Sequence, residues 1–316
     1  MRLVFMGTPE FAVQSLDKLH QAGHEILGVI TQPDRPKGRG QKLTPSPVKV
    51  RALELNLEVY QPLKIKEPDF IGILKELNPE VIIVVAYGQI LSKAILDMPV
   101  WGCINVHASL LPKYRGAAPI HWAVINGESE TGITTMKMDE GLDTGDILLK
   151  ARIEIGPDTT TGELHDCLAE LGGKVLIETL DLLEKGEISP QPQDNQWATY
   201  APLLTKSHEE IKWKEDSIKI HNLVRGMNPW PGAYTCLGEN RIKIRETRIS
   251  QDPGKKIKGL PGEILEFLDA GFLVQTGGSS LLVTKVQPAG KNIITANDFV
   301  NGYGIIKGQT LGGCYD

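Results

Sequence analysis

Val81-Ile82-Ile83-Val84-Val85-Ala86 is an unbroken apolar run with five β-branched residues, ending at Tyr87-Gly88-Gln89. Its length and branching predict a strand buried on both faces, as the centre of a parallel sheet requires. Upstream, Leu3 to Met6 reads as another strand, ending at Gly7-Thr8-Pro9-Glu10. Phe11, Leu16 and Leu19 mark a helix that stops at Gly23, and Ile26 to Thr31 is the next strand. The opening is therefore a βαβ unit, which favours a parallel sheet. Gly7 is either a plain turn residue or one that lets a ligand approach. The lone Gly-Thr-Pro lacks the further glycines of a dinucleotide fingerprint, which argues against a nicotinamide enzyme.

Downstream, Leu91 to Leu96 suggests a short helix and Cys103 to Val106 a strand. The strand leads into Asn105-Val106-His107-Ala108-Ser109-Leu110-Leu111-Pro112-Lys113-Tyr114-Arg115-Gly116. Asn105 and His107 have the same parity on an extended chain, so their side chains point the same way. Imidazole titrates near neutrality, and the Asn105 amide can donate to a carbonyl oxygen that gains charge during addition. That pair favours chemistry at a carbonyl over reduction or phosphoryl transfer. Thr131–Met138 and Ile147–Ile153 read as paired strands around Asp139-Glu140-Gly141-Leu142-Asp143-Thr144-Gly145-Asp146. Asp143 can orient His107, stabilise its imidazolium form, or accept a proton through water; only the fold can bring it there. Bland readings stay open: Asn105 as a backbone cap, Asp143 as a turn cap, Lys113 and Arg115 as solvated cations. Ser109 lacks the Gly-x-Ser-x-Gly setting of a nucleophile.

Residues 32–49, QPDRPKGRGQKLTPSPVK, hold four prolines and two glycines, which forbid a helix or a central strand through them. Five cations face one anion there, with Arg39 between Gly38 and Gly40. A connection this long and basic is either a solvated loop or a polyanion-binding one. Residues 1–205 carry 19 Lys or Arg against 27 Asp or Glu; residues 206–316 carry 15 against 12. The asymmetry suggests an anionic partner. Cys103, Cys167, Cys236 and Cys314 show no metal-ligand or disulfide spacing, so reduced thiols and no metal are expected. The apolar N-terminal run is too short for a signal or a membrane span, which points to a cytoplasmic protein.

Ser46-Pro47 can start a helix through Leu55, a second helix covers Pro68–Leu77, and a long one runs from Thr160 or Thr161 through Leu183. The stretch Ser189 to Pro202 has little apolar periodicity and is the best domain boundary. Beyond it, segments 233–237, 242–244, 263–268, 272–276 and 281–286 are short strands. Arg241-Ile242-Lys243-Ile244-Arg245 puts isoleucines on one face and cations on the other. Such strands predict a small β barrel with a charged exterior.

The Asn105–Gly116 and Asp139–Asp146 motifs, in this order and context, resemble the folate-dependent formyltransferase family. Gly7-Thr8-Pro9-Glu10-Phe11-Ala12, Gln32-Pro33-Asp34-Arg35, residues 200–206 and Asn228-Pro229-Trp230-Pro231-Gly232-Ala233 resemble the branch that acts on initiator methionyl-tRNA, over essentially the full chain. The resemblance implies an α/β fold with a Rossmann-like parallel-sheet formyltransferase domain over 1–189, a linker over 190–205, and an OB-like β-barrel tRNA-binding domain over 206–316. It implies formyl transfer from 10-formyltetrahydrofolate, a co-substrate, to the methionine amine of initiator methionyl-tRNA, in support of translation initiation. Asn105, His107 and Asp143 take the catalytic positions, the first two stabilising the oxyanion and Asp143 supporting His107 and proton movement. Tyr87, Gly88, Gln89, Ser109, Leu110, Leu111, Pro112, Asp139, Glu140, Gly141, Leu142, Asp143 and Gly145 take the folate-binding positions. Arg39 and loop 32–49, with the C-terminal domain, are expected to contact the tRNA. No metal, membrane or obligate protein partner is expected, and a bacterial cytoplasm is the expected setting.

Overall fold

A computed structural model describes residues 1–37, 40–249 and 259–313. The chain divides into two compact units: residues 1–119, 131–153 and 165–201 form the first, and residues 120–130, 154–164 and 202–316 the second.

The first unit is built on a seven-stranded sheet. Its strands are β1 (Arg2–Gly7), β2 (Glu25–Ile30), β3 (Val59–Tyr60), β4 (Val81–Val85), β5 (Cys103–His107), β6 (Glu130–Lys137) and β7 (Asp146–Glu154). They lie in the order β3-β2-β1-β4-β5-β6-β7. The neighbours from β3 to β5 pair in parallel, and β6 runs antiparallel to β5. All five residues of β4 are buried, as are Leu3 to Met6 of β1, which makes these the two centre strands. Strand order reverses between β1 and β4, the place where open α/β sheets bind ligands beyond their carboxyl ends. There Thr8 Oγ1 donates to the Tyr87 carbonyl at 2.9 Å, joining the two strand ends.

The helices follow their sequence signals closely. Glu10–Gln21 buries Phe11, Leu16 and Leu19, and Pro68–Leu77 buries Phe70 and Leu74. Pro47–Glu54 starts with proline in its first turn, and the Ser46 hydroxyl accepts from Lys49 N at 3.0 Å. The long helix is Thr161–Lys185; in its first-unit part, Thr179 and Thr135 of β6 share a hydroxyl hydrogen bond of 2.8 Å.

Loop 32–49 contains structure that its prolines concealed. Arg35–Lys37 and Lys42–Thr44 pair antiparallel as a two-stranded ribbon, tolerable because it stands apart from the main sheet. At its base, Asp34 accepts from Lys49 at 2.8 Å and from Gln61 at 2.8 Å. These bonds, Lys49 foremost, hold the Asp34 carboxyl below its ordinary range. Gly38 and Arg39 lie outside the described residues.

The second unit has an antiparallel sheet in the order β10-β11-β12-β9-β8-β14. These are β8 (Tyr234–Leu237), β9 (Asn240–Ile249), β10 (Ile264–Leu268), β11 (Gly271–Gln275), β12 (Ser280–Pro288) and, following β13 (Ile294–Thr295) on β12, β14 (Leu311–Gly312). Ile242 and Ile244 face a core with Trp213, Val224, Phe272 and Phe299, as the alternation of 241–245 predicts. The strand is longer than the sequence suggested, because it pairs with β12 as far as Ile249. Its cations are engaged: the Arg241 guanidinium lies 4.1 Å from the Tyr234 ring centre, Lys243 donates to the Pro231 carbonyl at 2.6 Å, and Arg245 donates to the Pro229 carbonyl at 2.7 Å. The helix Ala296–Tyr303, capped by Thr295, was hidden by its short length. The expectation of reduced thiols fails at Cys236, which is disulfide-bonded, whereas Cys103 and Cys167 are free. Pairing of β14 with β8 sets Gly312 opposite Cys236, a proximity no spacing rule encodes. Burial pushes the Cys103 thiol up to about 12, leaving it an inert core residue. No described helix is long and apolar enough to cross a membrane.

His221 is buried on the helix Ser217–Gly226 between the Thr247 hydroxyl at 3.0 Å and the Pro157 carbonyl at 3.1 Å. A carbonyl only accepts, so Nε2 carries the proton and Nδ1 accepts from Thr247. Burial holds the imidazole below its ordinary 6.5, with nearby Arg225 acting in the same direction and the Pro157 carbonyl and Asp158 opposing it. The unfolded chain therefore takes up this proton first as pH falls. The His221 contribution is complete above 6.5 and is lost as pH drops from 6.5 through the folded value. His221→Gln should lower the melting temperature at pH 7.5 and flatten its decline between about pH 7 and 5. Parallel melting curves for the two proteins would remove this assignment.

Candidate active site

Three loops at the ends of β4, β5 and β6 carry the residues singled out by sequence. Asn105 and His107 lie two apart on β5, where Asn105 pairs with Val84 on one side and Met136 on the other. A strand with neighbours on both sides fixes the backbone from which both side chains project. His107 is buried; Asn105 is half-buried, and its amide takes no partner among the described residues.

The loop after β5 turns back on itself and supplies the first constraint on His107. Its Nε2 lies 3.0 Å from the Tyr114 carbonyl. That oxygen can only accept, so Nε2 is protonated in either charge state and Nδ1 is left for chemistry. Asp143 Oδ2 stands 3.7 Å from Nδ1, beyond a direct hydrogen bond, and accepts instead from Gly116 N at 2.7 Å. The fold thus brings His107 and Asp143 together across 36 residues, with side chains only 6% and 12% exposed. Neutral His107 offers Nδ1 as a base; protonated, it offers Nδ1–H as a donor.

The loop is held from inside. Ser109 is fully buried and its hydroxyl donates to the Lys113 carbonyl at 2.6 Å, while Thr134 Oγ1 donates to the Ser109 carbonyl at 2.7 Å and accepts from Leu111 N at 3.1 Å. Lys150 donates to the Leu111 carbonyl, and burial pulls its ammonium below the ordinary lysine range. These side chains shape the backbone of Leu110, Leu111 and Pro112. Arg115 is no solvated cation: it is 2% exposed and donates to Gln193 and Asn195.

In the third loop, Asp139 folds inward to accept from Gly141 N at 3.0 Å and Thr144 Oγ1 at 2.7 Å. Glu140, Gly141 and Leu142 are exposed, Asp143 is half-buried with φ 54°, and Gly145 is buried. The Gly145 position has no room for a side chain, because a Cβ there would lie 1.9 Å from the Lys137 carbonyl.

Beyond β4, Tyr87 is buried, its carbonyl accepts from Thr8 and Gln32, and burial raises its phenol. Gln89 is turned away from Tyr87, accepting from Ile65 N at 2.8 Å. Gly88, at φ 87°, faces open space in which a Cβ would meet only Gln32 Nε2 at 4.0 Å. The described residues contain no cluster of His, Cys, Asp and Glu suited to a metal ion.

Sequence reasoning missed Gln193, the Gly116 N–H and the Tyr114 carbonyl. Two are backbone groups, whose role no side chain advertises. Gln193 sits in a stretch without periodicity; its value comes from residues 191–201 being laced onto the first unit. Gln191 and Ile147 exchange hydrogen bonds of 2.8 Å, Arg115 N donates to the Thr199 carbonyl at 2.8 Å, and Ala201 N donates to the Arg115 carbonyl at 2.7 Å.

The formyl transferase family matches over residues 1–180, and the formyl transferase C-terminal domain matches over residues 203–304. This chain belongs to the formyl transferase family. Among its relatives, the methionyl-tRNA formyltransferase of Moorella thermoacetica is 53% identical over 312 residues, covering 99% of each chain. That of Desulforamulus reducens is 51% identical over 312 residues, covering 99% of this chain and 98% of its own. Among determined structures, a methionyl-tRNA formyltransferase from Clostridium thermocellum aligns over 81% of this chain and 95% of its own, with TM-score 0.55 and 19% identity. The sugar 3N-formyltransferase WlaRD, crystallised with dTDP and 5-N-formyl-THF, aligns over 92% of this chain and 99% of its own, with TM-score 0.65 and 20% identity. At these identities the two structures speak for the fold.

Gly145→Ala should fold, because the loop can move outward, but the shift carries Asp143 away from His107. Displacement on the order of 1 Å commonly costs about 10²-fold in rate. A native kcat/KM in Gly145→Ala, with native circular dichroism as control, would show that loop 139–145 has no part in the reaction.

Proposed function

We propose that this chain transfers the formyl group of 10-formyltetrahydrofolate to the methionine amino group of initiator methionyl-tRNA, and so serves translation initiation. Full-length identity of 53% to a methionyl-tRNA formyltransferase supports the substrate pair. The observation that carries the chemistry is the His107 ring, with Nε2 committed to Tyr114 and Nδ1 facing Asp143 at 3.7 Å.

The folate supplies an activated formyl carbon; the protein supplies orientation, charge and proton traffic. The open backbone at Gly88 and the exposed, pre-folded Gly141 and Leu142 suit a planar, amide-edged ring that bonds to main-chain groups. Asp139 and Ser109 act by holding their loops, and Tyr87 by its carbonyl. The unpartnered Asn105 amide suits the formyl oxygen, which gains negative charge as the amine adds. Neutral His107 accepts a proton from the amine at Nδ1. The resulting imidazolium donates to the same oxygen or returns its proton to the departing nitrogen. Asp143 stabilises that cation and, pinned by Gly116, does so without collapsing onto the ring.

Asn105→Ala and His107→Ala should each lower single-turnover rates by about 10²–10³-fold, the cost of one oxyanion donor, while leaving tRNA affinity within about threefold. Asp143→Asn keeps an acceptor for Gly116 and loses the charge, so it should retain more activity than Asp143→Ala and less than the native enzyme. Parallel filter binding and rapid quench separate rate from affinity, and matched losses of both would contradict the catalytic assignment. Free methionine used as well as the charged initiator tRNA would overturn the tRNA substrate.

Arg39 is the proposed RNA contact of loop 32–49, whose ribbon base is fixed by Asp34, Lys49 and Gln61. Residues 206–316, with 15 Lys or Arg against 12 Asp or Glu, are the proposed larger tRNA surface. Arg39→Ala should reduce kcat/KM for initiator methionyl-tRNA and leave folate affinity unchanged. Arg39→Lys separates phosphate contact, which tolerates any cation, from planar recognition of a base edge, which does not. Unchanged rate and unchanged discrimination against a tRNA with an altered acceptor end would return Arg39 to a solvated loop.

A further inference from the structure

Gln193 is half-buried in an otherwise exposed stretch, and its amide is divided between two kinds of neighbour. Its Nε2 donates to the Asp143 carbonyl at 2.8 Å and the Gly145 carbonyl at 2.7 Å. Its Oε1 accepts from Arg115 Nε at 3.1 Å and Nη2 at 2.7 Å. One side of the amide meets only acceptors and the other only donors, so its orientation is forced and no carboxylate can replace it. Arg115 is buried, donates also to Asn195 at 2.8 Å, and immediately precedes Gly116, whose N–H holds the Asp143 carboxylate at 2.7 Å.

We propose that Gln193 is a positioning residue for the reaction. It joins the backbone of Asp143 to the residue beside Gly116, and so sets the carboxylate against the His107 ring from both ends. The geometry shows why a strut is needed. Asp143 occupies the left-handed region at φ 54°, a conformation uncommon for residues with a side chain, although aspartate tolerates it better than most. Its carboxylate stands 3.7 Å from His107 Nδ1 without a direct bond to it, so the separation is set by what holds the loop. Asp139 braces the near side of the loop through Gly141 and Thr144. Gln193 turns the carbonyls of residues 143 and 145, on the far side, toward a single donor. The bond to Arg115 keeps the strut from yielding, because the guanidinium is planar and has its own backbone pinned to Thr199 and Ala201.

This inference rests on the proposed formyl transfer, and two readouts keep them apart. Gln193→Glu preserves an acceptor for Arg115 and turns lone pairs toward the carbonyls of 143 and 145; Gln193→Ala removes both halves of the strut. Gln193→Glu should keep a native melting temperature within a few degrees, through its ion pair with Arg115, yet lose about 10–100-fold in kcat with KM for both substrates within about threefold. In an Asp143→Asn background the same change should cost little more, since the charge it positions is gone. Hydrogen exchange gives the second readout without any activity: amides 141–145 and Gly116 should lose protection in Gln193→Glu while those of β5 keep theirs. Native protection at Gly116 in Gln193→Glu, or a loss of kcat that multiplies in full with that of Asp143→Asn, would overturn the positioning role. An inactive native chain with the expected exchange pattern would overturn the formyl-transfer reading and leave the strut standing.

Discussion

The Tyr114 carbonyl consumes one ring nitrogen of His107 and thereby decides what the other can do. Had Nε2 been free, the imidazole could have taken either tautomer and rotated, and Asp143 could have closed on it as a simple ion pair. With Nε2 committed, Nδ1 alone faces the carboxylate, and the Gly116 N–H draws that carboxylate aside. A buried carboxylate and a buried imidazole thereby stand close without neutralising each other. A proton arriving at Nδ1 meets no direct hydrogen bond from the carboxylate and remains free to move on, which suits an acid-base group better than a locked pair does.

Those constraints are backbone groups on loops, so their accuracy depends on what lies beneath. The centre strands β4 and, beyond Arg2, β1 are buried, and β5 is flanked on both sides, which gives the loops a base with little freedom. Above it, the loops are braced mainly by side chains that never need to touch a substrate: Ser109, Thr134 and Lys150 under the Leu110–Pro112 turn, Asp139 within its own loop, Arg115 and Gln193 across the back. Ser109, Thr134, Lys150 and Gln193 do so by satisfying main-chain groups, and Arg115 by holding the Gln193 amide. This division of labour explains why a site with three reacting candidates needs a much larger set of fixed polar residues.

In the second unit, charge serves structure as well as surface. Lys243 and Arg245 donate to the carbonyls of Pro231 and Pro229, and Arg225 reaches the carbonyls of Gly156 and Thr159. Prolines cannot donate from their own nitrogens, so a turn rich in them presents carbonyls that long cations can gather. The excess of positive charge in residues 206–316 is therefore partly spent on holding turns.

The sequence by itself determined the layers of the fold and singled out the candidate reacting side chains. Continuous apolar runs separated by amphipathic periods admit little other than a parallel sheet with helices, and alternation at 241–245 fixed which face of that strand is buried. Asn105 and His107 could be paired on paper because a strand repeats every two residues. Tertiary structure alone decided the rest. Asp143 reaches His107 through strand pairing, Arg115 turns from an apparent surface cation into a buried strut, and Gln193 gains its role only once its segment is laced to residues 112–115. Periodicity reports which residues are buried within one element. It carries no record of hydrogen bonds made between distant loops through main-chain atoms, because every residue type except proline supplies the same N–H, and all supply the same C=O.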